Sequence, residues 1–366
     1  MSPRREFTSD RSCEPQKAVA RAVLVNRRRM RCMRVAVVGV GHLGSAHARI
    51  WNEIPDADLV GVVDIDGDRA REIADLHGCI AFSDTSKIIN QVDAVSIVTP
   101  TPFHLETARP FLEAGIAVLV EKPLAATLEE ADQICELADN SGSVLQVGHI
   151  ERFNPLIRSA IGIIDQPLFI ECDRIHPFTL RSTEISVVHD LMIHDIDIAL
   201  HLIDDDLAAV DAHGCAVLSP TEDLAHARLS FCKGATAFVK TSRVALNRSR
   251  KIRIFGHRQY VSLDLVHREG FRVSLDETYD PARFLDPLGR VQAPEGVEDF
   301  LSQHLDKEPL TFDEEEPLRA ELDSFLEAAR GSCDPAVTGS QGRRAMEAAS
   351  QVIESLRGRG QALEKA

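Results

Sequence analysis

Short apolar runs alternate with amphipathic segments of helical period between residues 34 and 149. Gly78 closes one amphipathic segment, and Thr127 opens another with Glu130 at the spacing of a capping box. Strands that alternate with helices in this way are typical of a parallel, doubly wound α/β sheet. The apolar runs lie within residues 34–40, 58–66, 93–104, 117–125 and 144–149.

The rhythm changes after residue 150, where strand-like runs follow one another without intervening helices. This pattern predicts a largely antiparallel, open sheet in a C-terminal α+β domain. A helix is predicted early in this domain, over residues 183–202, and two amphipathic helices close the chain at 314–331 and 340–358. The acidic, Pro-rich segment 273–316 is predicted to form long loops. The strand-like runs lie at 168–175, 210–219, 225–234, 235–244, 250–256 and 259–266.

Residues 1–32 differ from the rest because they hold nine Lys and Arg against three Asp and Glu. We expect this segment to be a disordered basic extension, or the product of an upstream start codon, with the working chain beginning near Met33. The alternative is a transit or nucleic-acid-binding arm. We therefore predict a nucleotide-binding domain over residues 33–149 and a substrate-binding and oligomerisation domain over 150–366.

Composition excludes several classes of function. The formal net charge is −16, which argues against nucleic acid as a partner, because phosphate binding requires a basic surface. None of the eight cysteines has C-x-x-C spacing, which favours free thiols in a reducing cytoplasm over disulfides or a zinc site. The chain contains no apolar run of 18 residues, so we expect no membrane span.

A G-x-G-x-x-G motif follows the first predicted strand, and Asp64 ends the second strand 20 residues later. Gly39 permits the tight turn, Gly41 lets the backbone approach a pyrophosphate at the helix N-terminus, and Gly44 allows the helix to pack closely. His42 and Leu43 lie within the motif. Asp64 would accept hydrogen bonds from the adenosine ribose, so we expect NAD rather than NADP, although Arg69 lies close by.

A polar stripe marks the predicted helix 183–202. Asp190, His194 and Asp197 stand at i, i+4 and i+7, and His201 extends the same face. Such a stripe is either a solvated edge or the wall of a cleft. With His189, these residues could instead supply ligands to zinc or manganese, but we expect no metal site because no further ligand cluster accompanies them.

The motifs "VAVVGVGHLG", "VSIVTPTPFH", "EKPLA" and the D-x-x-x-H of "HDLMIHDID" together resemble the Gfo/Idh/MocA family of nucleotide-dependent sugar and cyclitol oxidoreductases. The resemblance implies a Rossmann domain, an open-sheet domain and a homodimer or homotetramer. It also implies that Lys122 and His194 are catalytic, with Asp190 one turn before. With "GHIERFNP", the chain is most similar to the branch that oxidises the 3-hydroxyl of UDP-N-acetylglucosamine for lipid A biosynthesis, where an aminotransferase would use the resulting ketone.

These residues suit the chemistry of alcohol oxidation. His194 is the expected proton acceptor, Lys122 the proton relay and electrostatic stabiliser, and Asp190 a ligand of substrate hydroxyls. Other substrates consistent with the resemblance are an inositol, an aldose or a UDP-linked uronic acid, and a non-catalytic NAD-binding regulator is the alternative from another class. The remaining residues predicted to line the cofactor crevice are Thr99, Pro100, His104 and Glu121.

The segment 238–256 concentrates basic residues in an acidic chain. These residues either face the cleft, where they suit an anionic substrate, or lie on the solvent face of an edge strand. We predict that Arg243 binds the pyrophosphate of a nucleotide sugar and that Arg152 and Asn154 contribute to substrate binding. The basic residues of the segment are Lys240, Arg243, Arg248, Arg250, Lys251 and Arg253.

Overall fold

The computed structural model describes residues 32–179, 183, 185–276 and 304–364, with side chains up to residue 358. Of the predicted basic extension, only Cys32 lies within these residues. None of the helices in the described part of the chain is long and apolar enough to cross a membrane. The seven cysteines within it are all free thiols.

The first sheet is the predicted doubly wound sheet. Its six strands are all parallel and stand in the order β3-β2-β1-β4-β5-β6. The order reverses between β1 and β4, where ligands bind in open α/β sheets. Most strand residues are buried, because helices cover both faces. The strands are β1 (Met33–Val38), β2 (Ala57–Val63), β3 (Ile80–Phe82), β4 (Ala94–Ile97), β5 (Ala117–Glu121) and β6 (Leu145–Gly148).

Several helices of this half begin at a capping side chain or end at a glycine. Asp66 caps one helix by accepting from the backbone N–H groups of Asp68 and Arg69, and Gly78 ends it with a φ of 70°. Thr127 caps another through the N–H of Glu130, as its spacing predicted. The helices are α1 (His42–Glu53), α2 (Gly67–His77), α3 (His104–Glu113), α4 (Leu128–Ser141) and α5 (Pro155–Ala160).

The second sheet is also as predicted, open and mostly antiparallel. Its strand order is β14-β13-β12-β11-β7-β10-β9-β8, and only β7 and β10 run parallel. The strands are β7 (Phe169–Pro177), β8 (Leu207–Cys215), β9 (Leu224–Phe231), β10 (Thr236–Ala245), β11 (Ser249–Gly256), β12 (Gln259–Asp264), β13 (Glu269–Leu275) and β14 (Leu305–Pro309).

Two predicted elements of the second half need correction. Residues 269–275 and 305–309 pair as strands β13 and β14, so the segment predicted as long loops is in part sheet, while 277–303 lie outside the described residues. The predicted helix 183–202 begins later, as a π-helical turn over Val188–Met192 that continues into α6 (Ile193–Ile203). A π turn holds more residues than an α turn, so the ideal α-helical spacing used to predict one face does not hold across Asp190.

Two C-terminal helices, α7 (Pro317–Ala329) and α8 (Gly339–Glu364), tie the halves together. Helix α7 follows the second sheet in sequence but packs on the first, where Phe325 meets Trp51 edge to face at 6.3 Å. Helix α8 packs against β8, α6 and α4. The cofactor half and the second sheet therefore share buried apolar surface, which holds the crevice between them in one shape.

Candidate active site

The glycines after β1 are each required for a different reason. Gly39 has a φ of 87°, and a Cβ there would lie 2.7 Å from the carbonyl oxygen of Val98. A Cβ on Gly44 would lie 1.8 Å from the oxygen of Gly39, so helix α1 packs against this turn only with glycine. A Cβ added at Gly41, by contrast, would have no atom within 4 Å outside its own helix and chain neighbours. Gly41 thus leaves a backbone cradle at the N-terminus of α1, where a pyrophosphate fits.

Other groups around the cradle also fit a dinucleotide. The hydroxyl of Thr99, just past β4, is buried and has no hydrogen-bond partner among the described residues. His42 and Leu43 are exposed at the start of α1, and Ile65 is fully exposed directly after β2. A buried hydroxyl with a free hydrogen-bonding position and exposed apolar side chains fit a bound dinucleotide. Pro100 is exposed at the same edge.

Asp64 stands at the end of β2 and is buried. Its carboxylate accepts from the N–H groups of Val40 and Asp66, both at 2.9 Å, so the side chain is fixed beside the glycine turn. Arg69 lies 3.8 Å from Asp64 and 3.3 Å from Asp66. Arg69 is therefore already held by two carboxylates, which reduces its availability for a 2′-phosphate.

The Glu-Lys-Pro segment after β5 is fixed by buried contacts. One carboxylate oxygen of Glu121 lies 3.1 Å from Nε2 of His47, and the other accepts from the N–H of Lys122. A Cβ on Gly148 would lie 2.8 Å from this carboxyl group, so glycine there makes room for it. The predicted role of Glu121 thus extends to holding the backbone of Lys122 in place.

His104 lies in the crevice wall, but both of its ring nitrogens contact main-chain oxygens. Nδ1 is 3.0 Å from the oxygen of Pro123, and Nε2 is 2.9 Å from that of Thr99. The imidazole therefore bridges the segments that follow β4 and β5. The prediction that His104 contacts the cofactor needs correction, because neither nitrogen is free to do so.

The crevice brings Lys122, Asp190 and His194 together. Nζ of Lys122 donates to the backbone oxygen of Asp190 at 2.7 Å and lies 3.8 Å from its carboxylate. Asp190 lies within the π-helical turn. His194 follows one turn later with 9% of its surface exposed, and its Nδ1 has no partner among the described residues.

Burial tunes both titratable groups. It lowers the pKa of His194 well below the ordinary value, and the nearby cations Lys122 and Arg174 lower this pKa further. Burial also lowers the pKa of Lys122, although the neighbouring carboxylate of Asp190 opposes the shift. At neutral pH the imidazole is therefore neutral and able to accept a proton, next to an ammonium group that deprotonates more easily than usual.

A buried ion network behind His194 was missed by the sequence analysis. Arg174 on β7 makes two hydrogen bonds to Asp195, at 2.7 and 2.8 Å, and one to Glu151 at 3.1 Å. Glu151 also accepts from Arg250. Asp195 follows His194 directly, so the network fixes the helix turn that carries the imidazole. The only sequence signal was several charged residues inside strongly apolar segments.

Arg152 and Asn154 were predicted to bind substrate, but both are occupied. Arg152 is buried, with two hydrogen bonds to Asp197 at 2.7 and 2.5 Å and a third to Gln341 at 3.2 Å. Asn154 caps helix α5 by accepting from the N–H of Leu156. The rear half of the polar stripe, Asp197 with His201, therefore anchors Arg152 and does not line the crevice beside Lys122.

Arg243 also requires correction. Its guanidinium is buried and donates to Asp223, to the carbonyl of Ile185 and to the hydroxyls of Ser219 and Thr221, all between 2.7 and 2.8 Å. Each of its nitrogens is thus engaged within the chain. The prediction that Arg243 binds a pyrophosphate is not compatible with this geometry, because an anion would have to displace a buried carboxylate.

The metal alternative can also be examined within the described residues. There, the one group of three side chains whose ligand atoms lie within 4.8 Å of one another is Asp264, His267 and Glu269, on the β12–β13 hairpin. Among the described residues, the polar stripe of the π turn and α6 does not form such a group, and Asp197 is hydrogen-bonded to Arg152.

Comparison with known proteins identifies the class. Residues 33–149 match the oxidoreductase family GFO_IDH_MocA, NAD-binding Rossmann fold, and residues 166–262 match the GFO/IDH/MocA C-terminal domain. The chain belongs to this family and is an oxidoreductase acting on CH–OH groups.

Two curated relatives and one solved structure illustrate what this chain is similar to. UDP-N-acetylglucosamine 3-dehydrogenase from Acidithiobacillus ferrooxidans is 35% identical, with 87% of this chain and 96% of that protein covered. Myo-inositol 2-dehydrogenase from Thermotoga maritima is 29% identical, with 86% and 93% covered. The crystal structure of the Acidithiobacillus enzyme superposes with a TM-score of 0.77 over 89% of this chain and 98% of that one, at 33% identity.

Proposed function

We propose that this enzyme oxidises the 3-hydroxyl of UDP-N-acetylglucosamine to a 3-keto sugar, with NAD as the cofactor. The observation that carries the proposal is the meeting of Lys122, Asp190 and His194 at the carboxyl edge of the dinucleotide-binding sheet. The finer choice of substrate is supported by the Acidithiobacillus relative, which is similar to this chain over nearly its whole length. A 3-keto sugar is an electrophile that an aminotransferase could consume in a following step.

Bound NAD supplies the hydride acceptor. The side chains of the protein bind the alcohol, accept its proton and stabilise the negative charge on its oxygen. The substrate hydroxyl would lie between Nζ of Lys122 and the imidazole of His194, which takes the O–H proton. Lys122 then stabilises the developing negative charge on oxygen, and Asp190 keeps the ammonium group directed at it. The buried ion network holds His194 still, so that proton transfer needs little rearrangement.

NAD is proposed over NADP because of the charges at the end of β2. Asp64 and Asp66 would repel a 2′-phosphate, and both already hold Arg69. Comparing kcat/KM with NAD and with NADP tests this choice, and a preference for NADP would overturn it.

The predicted homodimer or homotetramer remains a proposal, and the outer face of the second sheet is the surface that supports it. Aromatic rings from neighbouring strands form a continuous row there, with centroids 5.3 to 6.0 Å apart, and Phe238 is 45% exposed. An exposed apolar row of this kind is typical of interfaces. The rings of the row are those of Phe238, Phe169, Phe255, Tyr260 and Phe271.

The deciding experiment is absorbance at the reduced-nicotinamide band, with purified protein, NAD and a panel of substrates. We expect turnover with UDP-N-acetylglucosamine and little with myo-inositol, free aldoses or UDP-linked uronic acids. Turnover confined to an inositol would favour the Thermotoga-like function. Binding of NAD without turnover of any member of the panel would favour the non-catalytic regulator.

A further inference from the structure

The sheet face that carries Arg174 continues outward into a short row of basic residues. On β11, Arg250 lies directly opposite Arg174 of β7. Arg248, two residues before Arg250, reaches His176, which is two residues beyond Arg174. Because strand side chains alternate between faces, Arg250 points to the same side as Arg174 and the network behind His194. Arg248 lies just before β11, and its contact with His176 places its guanidinium beside the same end of β7.

Arg250 connects this row to the reacting groups. Its guanidinium donates to Glu151, which Arg174 shares, and 35% of its side chain remains exposed. Its positive charge also lowers the pKa of His194. Arg250 therefore belongs to the network behind His194 and keeps part of its side chain accessible to a ligand.

Arg248 is hydrogen-bonded to a histidine and has no carboxylate partner among the described residues. Nδ1 of His176 lies 2.8 Å from the backbone oxygen of Pro177, so it carries the proton and donates to that oxygen. Nε2 is then a neutral acceptor, and the guanidinium of Arg248 donates to it at 2.5 Å. No carboxylate within the described residues lies at ion-pair distance from Arg248. A guanidinium oriented by a neutral partner is suited to bind an incoming anion.

We infer that Arg248 and Arg250 bind the phosphate-bearing group of the substrate, and that His176 positions Arg248 for this contact. The inference rests on the proposed function, because it assigns the diphosphate of a nucleotide sugar to the crevice where the sugar hydroxyl reacts. The reacting hydroxyl lies between Lys122 and His194. The diphosphate then lies farther out along the row, with the sugar ring spanning the distance between the two.

The test is the affinity of the whole protein, with NAD present, for UDP, measured by titration calorimetry. We expect Arg248→Gln to raise the Kd for UDP by about 10- to 100-fold, the range for hydrogen bonds between charged groups. Arg253→Gln is the matched control, because Arg253 lies five residues farther along the same segment, on the outer face of β11, where it pairs with Glu171. We expect the control to leave the Kd unchanged.

Variants of Arg250 and His176 complete the test. Because Arg250 also pairs with the buried Glu151, Arg250→Lys is preferred over a neutral replacement, and its folding is checked by Tm. His176→Leu removes the acceptor and is expected to weaken UDP binding less than Arg248→Gln does. His176→Gln restores an oxygen acceptor and should recover most of the affinity, a rescue that a merely structural role for His176 would not produce.

The outcomes separate this inference from the proposed function. If UDP-N-acetylglucosamine is oxidised and Arg248→Gln leaves both its KM and the Kd for UDP unchanged, the phosphate assignment is wrong and the proposed function stands. If only an uncharged polyol is oxidised, yet Arg248→Gln and not Arg253→Gln weakens UDP binding, the substrate proposal fails and the anion site stands. Absence of any UDP binding by the unaltered protein overturns the assignment.

Discussion

Two cationic groups of this enzyme differ in their availability: a closed cluster around the buried Arg243, and an open cluster formed by Lys122, Asp190 and His194. Arg243 is enclosed by Asp223, Ile185, Ser219 and Thr221, and every nitrogen of its guanidinium is engaged. Lys122 has one close acceptor, a backbone carbonyl, and faces a histidine whose Nδ1 has no partner among the described residues. Buried charge by itself therefore does not identify a functional group. A better indication of a functional group is a donor or acceptor in an open crevice that other groups of the chain do not occupy.

The same contrast applies to the arginines of segment 238–256. Arg243 and Arg248 are five residues apart, yet the first is neutralised by a buried carboxylate and the second is held by a neutral imidazole. A carboxylate partner satisfies both the charge and the geometry of a guanidinium. A neutral acceptor satisfies only the geometry, which leaves the charge available for a ligand.

The largest effect is expected at the open cluster. Lys122→Met removes the ammonium group but keeps the length of the side chain, and we expect kcat to fall by about 10²- to 10⁴-fold. Binding of NAD should be retained, because the glycine cradle is untouched. Initial rates and NAD titration test this prediction, with Lys240→Met on the outer sheet face as the control. A loss below about tenfold would remove Lys122 from the chemistry.

The closed cluster should respond in stability instead. Arg243→Met leaves Asp223 buried without its guanidinium partner, and we expect the free energy of unfolding to fall by about 3–5 kcal/mol. The KM of the molecules that remain folded should not change. Urea unfolding and steady-state kinetics separate the two effects, with Arg253→Met as the control. A raised KM for a UDP sugar at unchanged stability would contradict the closed geometry.

His194→Gln should have a smaller effect than loss of Lys122. The amide can still hydrogen-bond the alcohol but cannot accept its proton, so we expect kcat to fall by about 10²-fold. In the unaltered enzyme, the rate should rise with pH through a pKa below 6.5 if His194 is the base, because burial lowers that pKa. An acid limb that persists unchanged in the variant would assign the titration to Lys122.

The smallest effect concerns pH and stability. Burial lowers the pKa of His104, His149 and His194, so the unfolded chain binds protons near pH 6.5 that the folded chain excludes. Stability is therefore fully present above pH 6.5 and is lost as the pH falls below it, by about 1–3 kcal/mol towards pH 5.5. Urea unfolding at pH 7.5 and 5.5 measures the loss.

The closed cluster should not contribute to this loss. Although burial opposes ionisation of Asp223, hydrogen bonds from Ser219 and Arg243 hold its pKa well below the usual range, so it stays ionised at pH 5.5. His149→Gln should reduce the pH dependence, whereas Asp223→Asn should lower stability equally at both pH values. Equal pH dependence in all variants would show that His149 does not cause it.

Most of the fold was accessible from the sequence because its signals are local. The alternation of apolar runs and amphipathic helices, the caps at Thr127 and Gly78, and the glycine turn each depend on neighbouring residues. The strands that the sequence analysis did not predict are those with a weak local pattern. Strand β3 has three residues and no detectable pattern, and β14 is acidic and gains its strand structure by pairing with β13.

The candidate site was predicted only in part. The positions of Lys122 and Thr99 follow from the rule that parallel strands end at one edge, and both lie in the crevice. Asp190 and His194 were selected on an ideal α-helical face, but the chain is π-helical there, and Asp190 reaches Lys122 through its backbone oxygen. Arg152, Asn154, His104 and Arg243 have suitable chemistry, but other groups of the chain use their donors and acceptors. Asn154 caps its own helix, whereas Arg152 and Arg243 pair with carboxylates 45 and 20 residues away.

The sequence alone predicted a dinucleotide site at the end of the first strand, and its resemblance to a known family implied which lysine and histidine lie beside that site. The first prediction rests on glycine positions and strand ends and the second on short motifs, all of which are local properties. Only the tertiary structure decided which arginines are neutralised and which remain available, because their partners lie tens of residues away. The chemistry of a guanidinium depends on the acceptors that folding brings to it, and composition and spacing do not determine those acceptors.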